Sequence, residues 1–550
     1  MTVVNNKKMS AAHALVECLK RADVKKVFCV PGESYLPVLD ALYDAESIEV
    51  ISTRHEGGAA FMAEGYAKAA SKAGIVFATR GVGAANLSIG VHTAMQDSTP
   101  MLVFLGQVHR KFRGREGFQE VELTQFFAPI VKWAVEVKDP ERMPEIVERA
   151  FRIAETGRPG PVIISLPEDV LPLKGEMQFG PPLQIPRPTP SENDIQRLEE
   201  TLSKARRPII IAGGGVQRAE AVSILQNVAE KFAIPVLAAF RRHDVFPHHH
   251  PLYAGHLGLG TDPEIVKTVK EADVILALGT RLSEITTQDY SIITPEKKLI
   301  HIDIDFDALG KVYAPDVGIV ADIKEALTVM GKMTVKANWV EWVKERRQAY
   351  TAVSNLDIKE GEVMNKQIIH ALAKNLPDDA LLTTDAGNFA GWLHAFFPFK
   401  DKQRYIGPTS GAMGYGMPAA LGAKLAFPSR PVIALSGDGG FMMTVQELET
   451  AVRHRIPVIC LVFNNNMYGT IRMHQEMHYP ERVIGTDLGY ISFKDLAKSV
   501  GADGYLVNTA EHFEQVLRVV LSKNNVAVIE ILTSKEDISV SSTISKIRKS

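Results

Sequence analysis

Cysteine is scarce, with Cys18, Cys29 and Cys460 the only three in 550 residues. Their odd number and spacing match no disulfide framework, zinc site or redox motif, so they read as buried thiols of a reducing compartment. No run approaches the roughly 18 apolar residues of a membrane span, and the first residues pass into an amphipathic pattern without an apolar signal core. Neither anchor nor leader is expected, and the cytoplasm is the expected location. Excess positive charge is missing as well. With 62 Lys and Arg against 64 Asp and Glu, the net charge is −2, which argues against non-specific grip on nucleic acid. No fixed repeat is visible either, which excludes solenoids and propellers.

The chain is 46% hydrophobic and 23% charged, the balance of a globular protein too long for one core. Short Val- and Ile-rich runs alternate with helical patterns, as at 26–30, 75–79, 101–106, 162–166, 208–212, 274–279, 298–304, 431–436 and 458–463. That alternation predicts an α/β protein of three doubly wound parallel-sheet domains. Five prolines between Gly180 and Pro190 make an extended connector. A second break falls between Met333 and Glu362, where a Trp-bearing helix at 339–353 leads into a polar stretch. The expected domains are 1–180, 191–335 and 360–533, followed by a Ser- and Lys-rich tail, 534–550, read as an arm or partly disordered.

The most specific segment runs from Ser436 through Gly469. One strand ends at Gly437-Asp438-Gly439, a helix is expected over 444–454, and the next strand ends at Asn464-Asn465. The two loops leave one edge of a parallel sheet, where Asp438 and Asn465 can converge. A carboxylate, an amide oxygen and a loop carbonyl suit a hard cation such as Mg²⁺, while Gly437, Gly439 and Gly440 let backbone approach phosphate. A second signal is His55-Glu56-Gly57-Gly58-Ala59-Ala60, an acid read as ending a strand before a close-packed helix.

Together these motifs resemble the thiamine diphosphate enzymes, with a thiamin diphosphate-binding fold at each end and a Rossmann-like middle domain. The resemblance implies that Asp438, Asn465 and the Met467 carbonyl hold Mg²⁺, with Tyr468 alongside. It implies that Glu56 hydrogen-bonds the cofactor's pyrimidine, and that Met413, in the Gly411-Ala412-Met413-Gly414 turn, wedges the cofactor into a bent shape. Gly83, and more loosely Asp385, Gly387 and Asn388, would add cofactor contacts. The implied chemistry is decarboxylation of a 2-oxo acid. The carbanion equivalent that remains is protonated to an aldehyde, joined to a second carbonyl, or oxidised by a flavin.

Gly117-Phe118-Gln119-Glu120 is similar to the catalytic subunits of the acetolactate synthase branch, where Phe118 and Gln119 would line the reacting carbon. Arg110, Lys111, Arg113 and Arg115 offer charge to substrate carboxylates. Three departures stand against that pattern. His474 replaces an acceptor-selecting Trp, Glu168 replaces a Lys, and Arg80-Gly81-Val82-Gly83 replaces a Ser-Gly-Pro-Gly turn. Gly213, Gly214, Gly279, Arg281, Asp303 and Asp322 match positions that touch FAD in that branch, so a bound FAD is open. The resemblance also implies a homodimer or homotetramer whose active sites lie between subunits. A pyruvate oxidase-like flavoenzyme, a simple decarboxylase and a degenerate regulatory subunit are the alternatives.

Overall fold

The computed structural model describes residues 6–549; expectations touching 1–5 and Ser550 lie outside the described residues. Three six-stranded parallel sheets organise the chain. The first runs in the order Glu49–Ser52, Lys26–Cys29, Gly74–Ala78, Met101–Gln107, Pro161–Pro167, Trp133–Glu136. The third runs Arg404–Ile406, Leu381–Thr384, Val432–Gly437, Ile459–Asn464, Ala527–Leu532, Asp503–Val507. Both therefore share one strand order, and in both the order reverses direction between the first and third strands in sequence. The middle sheet runs Tyr253–His256, Val236–Ala238, Pro208–Ala212, Val274–Leu278, Lys298–Asp303, Val317–Val320, the order of a dinucleotide-binding sheet. Strands such as Pro208–Ala212 are buried at every position, which explains their unbroken apolar sequence.

The helix Glu56–Ala70 is Ala- and Gly-rich and buried at each of its first ten residues. It lies against the helix Gly416–Ala426 of the third domain so closely that backbone meets backbone. A Cβ at Gly65 would lie 2.4 Å from the Ala419 carbonyl oxygen, and one at Gly422 would lie 2.0 Å from that of Met62. One hydrophobic core consequently spans both outer domains.

Three expectations change. Trp339 and Trp342 bury in the middle core, their indole nitrogens donating to the Ala233 and Pro208 carbonyls at 2.8 and 3.1 Å. The helix Val340–Val353 thus belongs to the middle domain, whose end lies beyond 335. The helix expected over 444–454 starts later, at Glu447, and runs to Arg453; a separate short helix, Asp438–Met442, precedes it, and Thr444 between them donates its hydroxyl to the Gly414 carbonyl at 2.7 Å. The tail is packed, not an arm: Ile538 and Ile544 bury with Met467, and Arg548 grips Glu476 through two 2.8 Å bonds. Its polar composition hid those two isoleucines. All three cysteines are buried free thiols, and burial pushes Cys29 up to about 11 and Cys460 up to about 12. Among the described residues no helix is long and apolar enough to cross a membrane.

Candidate active site

Asp438 opens a short helix at the end of Val432–Gly437, and the neighbouring strand Ile459–Asn464 delivers the loop 465–467 beside it. One Asp438 carboxylate oxygen accepts the Gly439 N–H at 2.8 Å; the other, Oδ2, is buried without a partner. Burial raises this carboxyl's pKa, and the N–H groups of Gly439, Asn466, Met467 and Asn465 pull it back. The backbone of residues 465–467 thus lies beside the Asp438 carboxylate. Asn464 points away, to Glu530 at 2.9 Å, so the amides left to this loop are Asn465 and Asn466. No cluster of three or more His, Cys, Asp or Glu side chains suited to a metal occurs among the described residues. An unpartnered carboxylate oxygen beside an amide and a loop carbonyl fits Mg²⁺ and not a soft metal.

The glycines of this turn are close-approach positions. A Cβ at Gly439 would lie 2.5 Å from the Tyr468 ring, and one at Gly440 would lie 2.5 Å from Asp385 Oδ2. Asp385 sits fully buried beneath the turn, at the point where the third sheet's strand order reverses. It accepts from the N–H groups of Ala386 (2.9 Å) and Tyr415 (3.3 Å), and burial pushes its pKa up to about 7. Gly387 packs on the Phe389 ring, and Asn388 is already engaged, donating to the Ile538 carbonyl and accepting from Thr470, both at 2.8 Å. Gly411 turns with φ +69° in open space, and Met413 beyond it is half-buried.

In the first domain the strand stops at Ser52, and Glu56 opens the helix instead of closing the strand. His55 caps that helix by accepting the Gly57 N–H at 3.0 Å. Glu56 is buried, accepts from Asn86 Nδ2 at 3.0 Å, and lies 3.0 Å from where a Gly83 Cβ would stand. Phe118 is exposed, and the Gln119 carbonyl takes the Gly81 N–H at 3.1 Å. The basic loop is largely spent: Arg110 pairs with Asp169, and Arg113 with Glu122 and Glu136. Among the described residues no hydrogen bond or ion pair joins Glu56 to Asp438.

Sequence reasoning missed a buried network behind the site. The Tyr415 hydroxyl donates to Glu64, which also accepts from Thr99 at 2.7 Å and pairs with Lys68 at 3.0 Å. Lys68 bridges in turn to Asp97 at 3.0 Å. Only the two-turn spacing of Glu64 from Glu56 on a buried helix hinted at it.

The positions expected to touch a flavin pack on one another or hold hydrogen bonds within the protein. Cβ atoms at Gly213 and Gly215 would strike Gly279 backbone at 2.3 and 2.6 Å, and one at Gly214 would strike the Arg242 guanidinium at 2.9 Å. Arg281, Arg158 and Arg242 donate to the Gln96, Met95 and Asp97 carbonyls at 2.6, 3.0 and 3.3 Å, closing the C-terminal end of the helix Gly81–Asp97. Asp322 caps the helix Ile323–Met330, and Asp303 accepts the Asp305 N–H at 2.9 Å, its pKa pushed up to about 6 by burial.

Comparison with known proteins agrees with the geometry. Residues 9–126 match the thiamine pyrophosphate enzyme N-terminal TPP binding domain, 195–330 the central domain, and 385–531 the C-terminal TPP binding domain. The chain is 34% identical over 549 residues to a probable acetolactate synthase large subunit of Methanocaldococcus jannaschii, covering 95% of this chain and 92% of that one. It is 34% identical over 541 residues to the acetolactate synthase large subunit of Lactococcus lactis, covering 96% and 94%. An acetolactate synthase of Mycobacterium bovis is 32% identical over 540 residues, covering 95% and 87%. With a buried acid at the head of one domain's helix, an unpartnered carboxylate oxygen at the other's strand end, and relatives aligned along nearly the whole chain, this protein belongs to the thiamine pyrophosphate enzyme family.

Proposed function

We propose that the protein is an acetolactate synthase-like carboligase that joins two pyruvate molecules with loss of CO₂. The observation that carries this reading is the free oxygen of Asp438 in a glycine turn, beside Asn465 and Met467. Asp438, Asn465 and the Met467 carbonyl would hold Mg²⁺ there, and the turn's N–H groups would face the diphosphate. Thiamine diphosphate, when bound, supplies the carbon that attacks the ketone and the electron sink for decarboxylation.

The chain's own residues do the rest. Glu56 is held by Asn86 so that its carboxyl can share a proton with the pyrimidine. Met413 fills the space beneath the bend with apolar bulk. Gln119 can donate a hydrogen bond to a substrate oxygen without surrendering a proton, which favours carbon–carbon bond formation over release of aldehyde. We read the assembly as a homodimer or homotetramer in which Glu56 of one copy faces Asp438 of another, and the buried thiols suit the cytoplasm. The engaged flavin positions favour a non-redox enzyme over an oxidase.

Incubation with pyruvate, Mg²⁺ and thiamine diphosphate tests the reading: acetolactate is expected. Acetaldehyde alone would make it a simple decarboxylase, and no turnover across a panel of 2-oxo acids would make it a degenerate subunit.

A further inference from the structure

Two of the departures from the acetolactate synthase pattern, Arg80 and Glu168, meet in the fold. Arg80 is buried and donates through Nη2 to Glu168 Oε2 and through Nη1 to Glu33 Oε1 at 2.7 Å. Its Nε has no partner. One guanidinium therefore faces two carboxylates, and the two differ in how they are held. The other oxygen of Glu168 accepts the His109 N–H at 3.2 Å, whereas the Glu33 side chain is 71% exposed and makes no other hydrogen bond. An exposed partner returns to water at little cost, while a fixed, half-buried one does not.

The place matters as much as the pairing. Glu33 follows the strand Lys26–Cys29 and Arg80 follows Gly74–Ala78, neighbouring strands between which the first sheet's order reverses. Open α/β sheets bind ligands in that crevice. A hydroxyl pair, Ser34 to Thr79 at 2.8 Å, ties the two turns together, so the freedom lies in the Glu33 side chain. The residues that follow Arg80 reach both candidate groups of this domain: Gly81 donates to the Gln119 carbonyl, and Gly83 lies against Glu56.

We propose that Arg80 Nη1 binds the carboxylate of the incoming 2-oxo acid, and that Glu33 is an internal carboxylate that holds this position until substrate displaces it. The exchange swaps one carboxylate for another, so the buried cation is never left unpaired. Glu168 keeps the guanidinium aimed while Glu33 leaves. This inference rests on the carboligase reading for the identity of the substrate, though not for the existence of the carboxylate site.

The test uses the full chain loaded with thiamine diphosphate and Mg²⁺, as wild type, Glu33→Gln, Arg80→Lys and Arg80→Gln. Oxamate, an unreactive carboxylate of 2-oxo acid shape, is titrated by calorimetry, and KM and kcat are measured over the 2-oxo acid panel. Removing the internal competitor should tighten oxamate about 5- to 10-fold and lower KM more than it alters kcat. Arg80→Gln should weaken oxamate roughly 50-fold or more, with Arg80→Lys between the two. Unchanged or weaker oxamate binding by Glu33→Gln, an exposed position that tolerates substitution, overturns the proposal, as does a wild type that binds no oxamate. Tightened oxamate in an enzyme that turns over no 2-oxo acid would retain the carboxylate site and sink the carboligase reading; turnover with unaltered oxamate would do the reverse.

Discussion

Glu447 of the third domain holds the backbone of His55 in the first, accepting its N–H at 2.9 Å and that of Arg54 at 3.2 Å. The loop that presents Glu56 is thereby set by a side chain from the helix that follows the Asp438 turn. Glu447→Ala takes the acceptor from two partly buried N–H groups, which costs less than the roughly 1–3 kcal/mol of a fully buried orphan for each. Denaturant unfolding should register that loss, and kcat should fall with it because Glu56 is no longer fixed.

Glu56→Gln should abolish turnover while thiamine diphosphate still binds, because an amide keeps the shape and loses the exchangeable proton. Asp438→Ala should instead release the cofactor, since it removes the unpartnered oxygen. Equilibrium dialysis with and without Mg²⁺ separates the two outcomes.

Removing residues 534–549 should weaken cofactor binding and lower the melting temperature. The deletion uncovers Met467, frees Asn388 from Ile538, and strips from Glu476 the Arg548 guanidinium that, above all, holds its carboxyl down at about 2. Arg548→Ala alone should reproduce part of the thermal loss, and a melting curve that ignores both changes would remove the tail from the site.

Four histidines, the buried His243 and His248 and the half-buried His256 and His394, meet Arg241 and Tyr405 where the middle and third domains join. Burial above all holds His248 down at about 3 and His256 at about 4. The unfolded chain takes up these protons near pH 6.5 and the folded one only far below. Stability is therefore complete above about pH 6.5 and declines as pH falls toward 4. Melting temperatures across that window should fall steeply, and His256→Phe should flatten the slope.

Purified protein should be colourless, and FAD should give no heat in calorimetry, because the Arg242 guanidinium lies against Gly214 of the middle-domain turn and Arg281 is engaged by the Gln96 carbonyl. Yellow protein with a flavin band would contradict that assignment.

Strand positions were legible in the sequence because fully buried parallel strands such as Pro208–Ala212 are apolar throughout. The Asp438 and Glu56 motifs were legible because glycines beside a single acid mark loops that let backbone come close. What escaped was the long-range pairing. Glu33, Arg80 and Glu168 are ordinary charges until the sheet brings their loops together. Ile538 and Ile544 were obscured by a polar tail, and the Trp-bearing helix of 339–353 was placed at the break between domains although Trp339 and Trp342 pack into the middle core.

The glycine-mediated crossing of Glu56–Ala70 with Gly416–Ala426 puts backbone on backbone at Gly65 and Gly422. A slide of one helix along the other would drive main chain into main chain there, which sets that crossing against any relative shear of the outer domains.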